Sequence, residues 1–265
     1  MIGVESRFYI DVRVDNLSLD TALERVETLY KESSDGVPRQ IFFTNVHSVH
    51  LANQNPLLKH DLNEADLVLP DGSGLKIAGK VLNKPVEVNL NGTDFTPKVF
   101  RMAEVAGWSV YLLGAKKNVI TECVENISKR FSKLEVKGYH NGFFDDKEEK
   151  EILKEINQLK PDILLVALGS PFQERWIAKN AVNLDTRLCF AVGGLFDFLS
   201  NQTSRAPLWM RKIGCEWVYR FIQNPKEKWD RIFVEIPLFL YAILHEKIRS
   251  VIPRGNFKKL GPFNG

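Results

Sequence analysis

Apolar residues along this chain follow two rhythms. Short continuous runs, "RQIFFTNV", "DLVLP", "WSVYLLGA", "PDILLVALGSP" and "RLCFAVGG", read as strands buried on both faces. Between them, apolar residues recur three and four apart. "SLDTALERVETLYKES" reads as a helix capped by Ser18 or Asp20. "SVHLANQNPLLKHDLNEA", "GSGLKIAGKVL", "KNVITECVENISKRF", "DKEEKEILKEINQLK" and "FQERWIAKNAV" are helical, as is "DFTPKVFRMAEVAG", stopped by Gly107. "RFYIDVRVDN" reads as one strand entering a turn, and "LEVKGYHNGFF" as a strand and loop. This alternation predicts an α/β domain with a mostly parallel sheet and helices on both faces.

From "SRAPLWMRKIG" onward the strand signals stop. Helices are expected over 206–212, 216–222, 226–235 and 238–250, with breaks at Pro225 and Pro237. The predicted layout is an α/β domain over residues 1–195 and a helical appendage over 196–265.

Composition narrows the class. Hydrophobic residues make up 44% and charged residues 26% of 265 positions, which is a globular balance with enough apolar material for a full core. Three scattered cysteines, Cys123, Cys189 and Cys215, argue against a disulfide framework and give no zinc spacing, so a reduced, cytosolic compartment is expected. The start, "MIGVESRFYIDVRVDN", lacks the uninterrupted apolar core of a signal peptide. The longest apolar run, "IPLFLYAIL" at 236–244, falls far short of the roughly 20 residues of a spanning helix. Charge is uneven. From Arg205 onward there are 12 Lys/Arg against 5 Asp/Glu, a net of +7, while the rest of the chain carries −4. Basic charge beside "IPLFLYAIL" is the pattern of a segment lying on an anionic surface, although composition by itself favours a solvated face beside an ordinary buried helix.

Several features fall at predicted strand ends: Thr44-Asn45, Asp71-Gly72, Gly114, Gly169-Ser170-Pro171 and Gly193-Gly194. Ligands of open α/β sheets bind beyond the carboxyl ends of strands. Small residues and backbone N–H groups there suit phosphates. The chain has no GxxxxGK[ST], no GxGxxG following a strand and no GxSxG. P-loop, dinucleotide and nucleophile-elbow chemistries are therefore not supported. His47 and His50 are three apart near a helix start, which fits a polar helix face better than a metal pair. "GSPFQERW" places Gln173 and Glu174 in a first helical turn, as caps or as ligand contacts. Asp71 in "LVLPDGSGL" is either a turn-former or a base.

Taken in order, "TNVHSVHLANQNPLL", "ADLVLPDGSGL", "NGTDF", "YLLGA", "GSPFQERW" and "VGGLFDFLSNQTSRAPLWMRKIGCEWVYRFIQNP" resemble the WecG/TagA/CpsF bacterial glycosyltransferases from about Tyr9 to about Arg231. The resemblance implies a Rossmann-like catalytic domain and a C-terminal appendage that completes the site at the membrane. It implies an inverting transfer of a sugar from a UDP-sugar to a polyprenyl-diphosphate-linked saccharide. The product serves cell-surface polysaccharide synthesis at the cytoplasmic membrane face, with no metal and no cofactor. A homo-oligomer is a family possibility, and nucleic acid is not an expected partner.

The resemblance also implies roles. Asp71 is the general base of the "PDG" motif, and Thr44 and Asn45 contact donor sugar or acceptor. Gln173 and Glu174 bind the nucleotide, beside the loop glycines Gly114, Gly169 and Gly193. Arg220, then Arg205, then Arg231 are the cations for the departing UDP or for the acceptor's diphosphate. Trp209, Trp217 and Phe221 are expected to pack the tail. One departure stands out. Asn89, in "VEVNLNGTDF", occupies the place where the family usually has an Arg near the leaving phosphate, with Val88 for its Glu. This raises a glucose- or uronic-type donor beside N-acetylmannosamine, and, as an alternative, a catalytically inactive UDP-sugar-binding scaffold.

Overall fold

The computed structural model describes residues 4–33 and 36–251. The end of the expected appendage, 252–265, lies outside the described residues. The chain opens with an antiparallel hairpin of β1 (Glu5–Tyr9) and β2 (Val12–Asn16). The single strand expected here is therefore two. The turn residues Ile10 and Asp11 have φ of 52° and 60°, a left-handed turn made without the Asn-Gly or Gly that normally announces it.

α1 (Leu19–Glu32) leads to β3 (Arg39–Thr44), and α2 (Val46–Gln54) and α3 (Pro56–Glu64) lead to β4 (Leu67–Pro70). α4 (Ser73–Leu82) and α5 (Gly92–Ala106) precede β5 (Ser109–Gly114). Next come α6 (Lys117–Arg130), β6 (Glu135–His140), α7 (Asp146–Leu159), β7 (Ile163–Ala167), α8 (Phe172–Asn180) and β8 (Leu188–Ala191). Six strands form one parallel sheet in the order β4-β3-β8-β7-β5-β6. The α/β prediction holds because central strands such as β7 are buried at every position, so both faces must be covered. On β3, Ile41 and Phe43 enter the core with Val26, Phe95 and Phe100, while Phe42 enters the opposite core with Val49, Leu75 and Trp176.

The hairpin protects the β4 edge. Asp15, fully buried, accepts from Val68 N at 2.8 Å and from Ser6 Oγ at 2.6 Å, and pairs with Arg13 at 2.9 Å. Its carboxylate takes the place of a ladder partner at the edge.

The C-terminal helices are α9 (Leu195–Leu199), α10 (Leu208–Lys212), α11 (Glu216–Gln223), α12 (Pro225–Asp230) and α13 (Ile236–Val251). The boundary expected near 195 falls at the start of α9, whose Leu195 and Phe196 are buried in the core. Pro225 opens α12, where its missing N–H costs nothing. The break expected at Pro237 does not occur. A π-turn over Arg231–Glu235 runs straight into α13, and Ile236 N donates to Arg231 O. The wider turn changes the hydrogen-bond register just ahead of the proline, so the helix continues through it.

α13 is fastened to the α/β domain. Phe239 and Ile243 are 3% and 1% exposed, in one core with α2 and α4 residues. Glu246 Oε1 pairs with Lys84 at 3.0 Å, and its Oε2 accepts from Ile10 N at 3.1 Å. Glu235 Oε2 lies 2.7 Å from His47 Nδ1. Burial holds the His47 imidazole below its usual pKa, working against Glu235, which raises it. No helix among the described residues is long and apolar enough to cross a membrane.

Candidate active site

The strand-end features all lie on the carboxyl rim of the sheet, as the alternation predicts for parallel strands. They divide into two groups. Asn45, Asp71 and Asn89 line a cleft of about 290 Å³ whose opposite wall is the C-terminal helices. Gly114, Gly169, Gln173, Glu174 and Gly193 belong to the rim over β5, β7 and β8, outside that cleft's lining.

Asp71 is placed by backbone. Its N–H donates to Thr44 O of the neighbouring strand at 2.8 Å, and Leu90 N donates to Pro70 O at 2.8 Å. Gly72 follows with φ 94°, a conformation that favours glycine, and begins α4 with no side-chain cap. Gly72 N donates to Asn89 Oδ1 at 2.7 Å, so Asn89 holds the turn that presents the carboxylate. Asn45 caps α2 by accepting from Ser48 N at 3.1 Å, and its Nδ2 donates to Asp71 Oδ2 at 3.3 Å. That is the single side-chain hydrogen bond to the Asp71 carboxylate among the described residues. Thr44 is fully buried, with Oγ1 lacking a hydrogen-bond partner. It meets the cleft only through the carbonyl that anchors Asp71.

The facing wall is cationic. Arg211, Arg220, Lys228 and Arg231 line the cleft, against the acidic Asp71 and Glu216. Glu216 organises two of the expected arginines. Arg205 Nε donates to it at 3.0 Å and Arg220 Nη2 at 3.4 Å. Arg205 also makes a two-pronged contact with Asp94, at 3.0 and 3.1 Å, and is absent from the cleft lining. Burial works against the Asp94 charge, yet Arg205 and Asn91 hold its carboxyl below the usual range. The Arg220 and Arg205 guanidinium carbons lie 4.8 and 5.6 Å from the Phe198 ring centroid. Arg205 thus ties the appendage to α5, while Arg220 and Arg231 face the cleft. Ser73 Oγ completes the closure by donating to Gly214 O at 2.8 Å.

Sequence reasoning missed Glu216, Arg211 and Lys228. The first two stand in the "RAPLWMRKIGCEWVYR" block, whose clustered charges were the available signal. Trp217, expected as packing, lines the cleft and is 46% exposed.

The second group forms a brace. Gln173 Oε1 accepts from Gly193 N at 2.9 Å, and its Nε2 donates to Glu174 Oε1 at 2.8 Å. Ser170 Oγ donates to the same oxygen at 2.6 Å. Glu174 is fully buried, and burial pushes its carboxyl pKa up, leaving Oε2 enclosed without a partner. The pair therefore joins the loops after β7 and β8. Gly169 and Gly193 have φ of 79° and 54°. At Gly114, φ is 141° and an added Cβ would sit 2.3 Å from Ala167 O. Gly114→Ala should destabilise the fold by at least the ~1–3 kcal/mol typical of overpacking, read as a lower melting temperature. An unchanged melting temperature would contradict that close approach.

The model of the Glycosyl transferase WecG/TagA/CpsF family matches residues 8–252 of this chain. The chain belongs to this glycosyltransferase family. Among its relatives, an N-acetylglucosaminyldiphosphoundecaprenol N-acetyl-beta-D-mannosaminyltransferase from Bacillus spizizenii is 32% identical over 235 residues, 89% of each chain. A Bacillus subtilis protein of the same name is 32% identical over 186 residues, 70% of this chain and 71% of its own. A third, from Staphylococcus aureus, is 27% identical over 240 residues, 90% of this chain and 92% of its own. The family match spans both the α/β sheet and the C-terminal helices, and the cleft of this WecG/TagA/CpsF member lies between those two parts.

Proposed function

We propose that this protein transfers N-acetylmannosamine, with inversion and without a metal, from a UDP-sugar to N-acetylglucosamine carried on undecaprenyl diphosphate. The work is done at the inner face of the cell membrane, for cell-envelope polysaccharide. The names of its relatives support the sugar and the acceptor. The observation that carries the mechanism is the Asp71 carboxylate on the sheet side of one cleft, facing four cationic side chains on its helical side.

The chemistry follows from that pairing. Asp71 accepts the proton of an acceptor hydroxyl while that oxygen attacks the anomeric carbon of the donor. The bond from that carbon to the diphosphate oxygen breaks on the opposite face, and its electron pair leaves on UDP. Arg220, Arg231, Arg211 and Lys228 supply positive charge to the departing diphosphate, as preorganised electrostatic stabilisation requires. Asn45 fixes the carboxylate's orientation. The Gln173–Glu174 brace shapes the rim that receives the nucleotide.

The appendage supplies membrane contact. Among the described residues, 13 of the 22 exposed large apolar side chains lie from Leu208 onward, among them Trp209, Trp229, Phe233 and Tyr241. Exposed apolar side chains on a basic segment suit shallow insertion into an anionic surface.

The test is UDP release from a panel of UDP-sugars with N-acetylglucosaminyl-diphospho-polyprenol, in EDTA. Release with UDP-N-acetylmannosamine is expected. Release with a glucose- or uronic-type donor alone would replace the donor. UDP binding without release from any donor would favour the non-catalytic scaffold.

A further inference from the structure

The cleft has a second, apolar side that the transfer chemistry does not use. Beside the carboxylate and the cations, it is lined by Val46 of α2, Ile77 of α4, Trp217 of α11, and Ile232, Ile236 and Leu240 of the π-turn and α13. The helical spacing explains how these side chains come to be there. Ile232, Ile236, Phe239, Leu240 and Ile243 recur at the intervals of one helix face. Phe239 and Ile243 use the centre of that face to dock on the α/β domain. Ile232, Ile236 and Leu240 flank the docked pair along the cleft. Across from them, Gly74 and Ile77 are three residues apart on α4, so they share a face. Gly74 is bare because an added Cβ would meet Val46 Cγ2 at 2.2 Å.

Three of these side chains are left largely in water: Ile77 is 52%, Trp217 46% and Leu240 40% exposed. An apolar strip between two helices, open at its mouth and ending at a cluster of arginines, is complementary to an amphiphile with an anionic head and a hydrocarbon tail. The strip is continuous with the cationic wall. Ile232 follows Arg231 directly, and Trp217 lies on the same helix as Arg220. The cationic wall then serves the acceptor's diphosphate as well as the departing UDP, and an acceptor diphosphate at Arg231 would have its lipid ester starting at Ile232. From Ile232 to Leu240 is about 12 Å of helix, enough for the first isoprene units.

We infer that the groove between α4 and α13, walled by Ile77, Ile232, Ile236 and Leu240, binds the head-proximal isoprene units of a prenyl diphosphate, drawing them out of the bilayer into the protein. This rests on the acceptor assigned above and adds where its lipid goes. Specificity for a lipid-linked acceptor then comes from direct contact with the chain, beyond proximity to the membrane.

The experiment needs no membrane and no turnover. Farnesyl diphosphate and methyl diphosphate are each titrated into the full-length protein in a calorimeter, in detergent-free buffer. Wild type should bind the farnesyl compound at least tenfold more tightly, because the groove takes several apolar groups of its tail out of water. In Ile77→Gln/Leu240→Gln the ratio of the two affinities should fall about tenfold. Both positions are substantially exposed, so neither change opens a core cavity, and the thermal melt serves as the folding control. Equal affinities in wild type, or a ratio unmoved in the double variant, would overturn the groove. A ratio that falls as expected, in a protein that fails to release UDP with the polyprenyl acceptor, would keep the groove and reject the transfer reaction. Turnover of that acceptor with an unmoved ratio would do the reverse.

Discussion

Asp71→Asn is expected to lower turnover by about 10²–10⁴, the usual worth of a positioned general base, while leaving the melting temperature near that of wild type. The substitution keeps the shape of the side chain and removes only its capacity to accept a proton. The position of the residue is set by backbone contacts that the change does not touch: Asp71 N to Thr44 O at 2.8 Å and Gly72 N to Asn89 Oδ1 at 2.7 Å. Asn45 Nδ2, which donates to Asp71 Oδ2, can donate equally to the amide oxygen of the variant. Donor and acceptor KM should therefore move little, and the loss should fall on kcat. UDP release with the lipid acceptor gives kcat, and UDP binding by calorimetry checks that the site still forms. A variant turning over within a few-fold of wild type would remove Asp71 from the role of base, leaving it as a residue of its own turn.

Much of this arrangement was legible in the residue pattern, and most of what was not depends on contacts between distant parts of the chain. Strands such as "ILLVA" show through as continuous apolar runs because a parallel sheet covered on both faces buries every residue. The same logic put Asn45, Asp71, Gly114, Gly169 and Gly193 on one rim. It does not say which part of the rim is open, since that depends on where the appendage lands. Phe239 and Ile243 bring α13 down beside α2 and α4, so the cleft forms over the ends of β3 and β4. Arg205 and Arg220 look equivalent in sequence. Contacts made across long stretches of chain separate them, with Arg205 bound by Asp94, 111 residues away. Asn89 reads as a missing charge, yet its Oδ1 holds Gly72 N. The hairpin was missed for a local reason: Ile10 and Asp11 adopt positive φ without the glycine or asparagine that usually marks such a turn.

Deleting residues 225–265 should give a protein that keeps its sheet, binds anionic vesicles weakly and transfers sugar poorly to acceptor in a membrane. The two groups at stake separate cleanly. Asp71, Asn45 and Asn89 are held by contacts within the α/β domain and survive the cut. Lys228 and Arg231 are lost from the cationic wall, and Ile232, Ile236 and Leu240 from the apolar one. Removing a single donor that stabilises developing charge commonly lowers kcat by about 10²–10³, so the loss of two cations sets an expected fall of at least that size. Phe239 and Ile243 also leave, uncovering the α2 and α4 surface they bury; each removes ~1.5–3 kcal/mol of apolar burial, so the melting temperature should drop. Solubility should nonetheless rise, because eight exposed large apolar side chains among the described residues go with the segment, Trp229, Phe233, Val234, Leu238, Leu240, Tyr241, Leu244 and Ile248. Three readings on the truncated protein decide the matter: co-sedimentation with phosphatidylglycerol vesicles, UDP release with acceptor in those vesicles, and UDP release with a water-soluble short-chain acceptor. Weak sedimentation with low release from both acceptors places the appendage in the chemistry as well as at the membrane. Low release from vesicles with normal release from the soluble acceptor would confine it to membrane contact and take Lys228 and Arg231 out of the reaction. Full activity on acceptor in vesicles would remove the appendage from both.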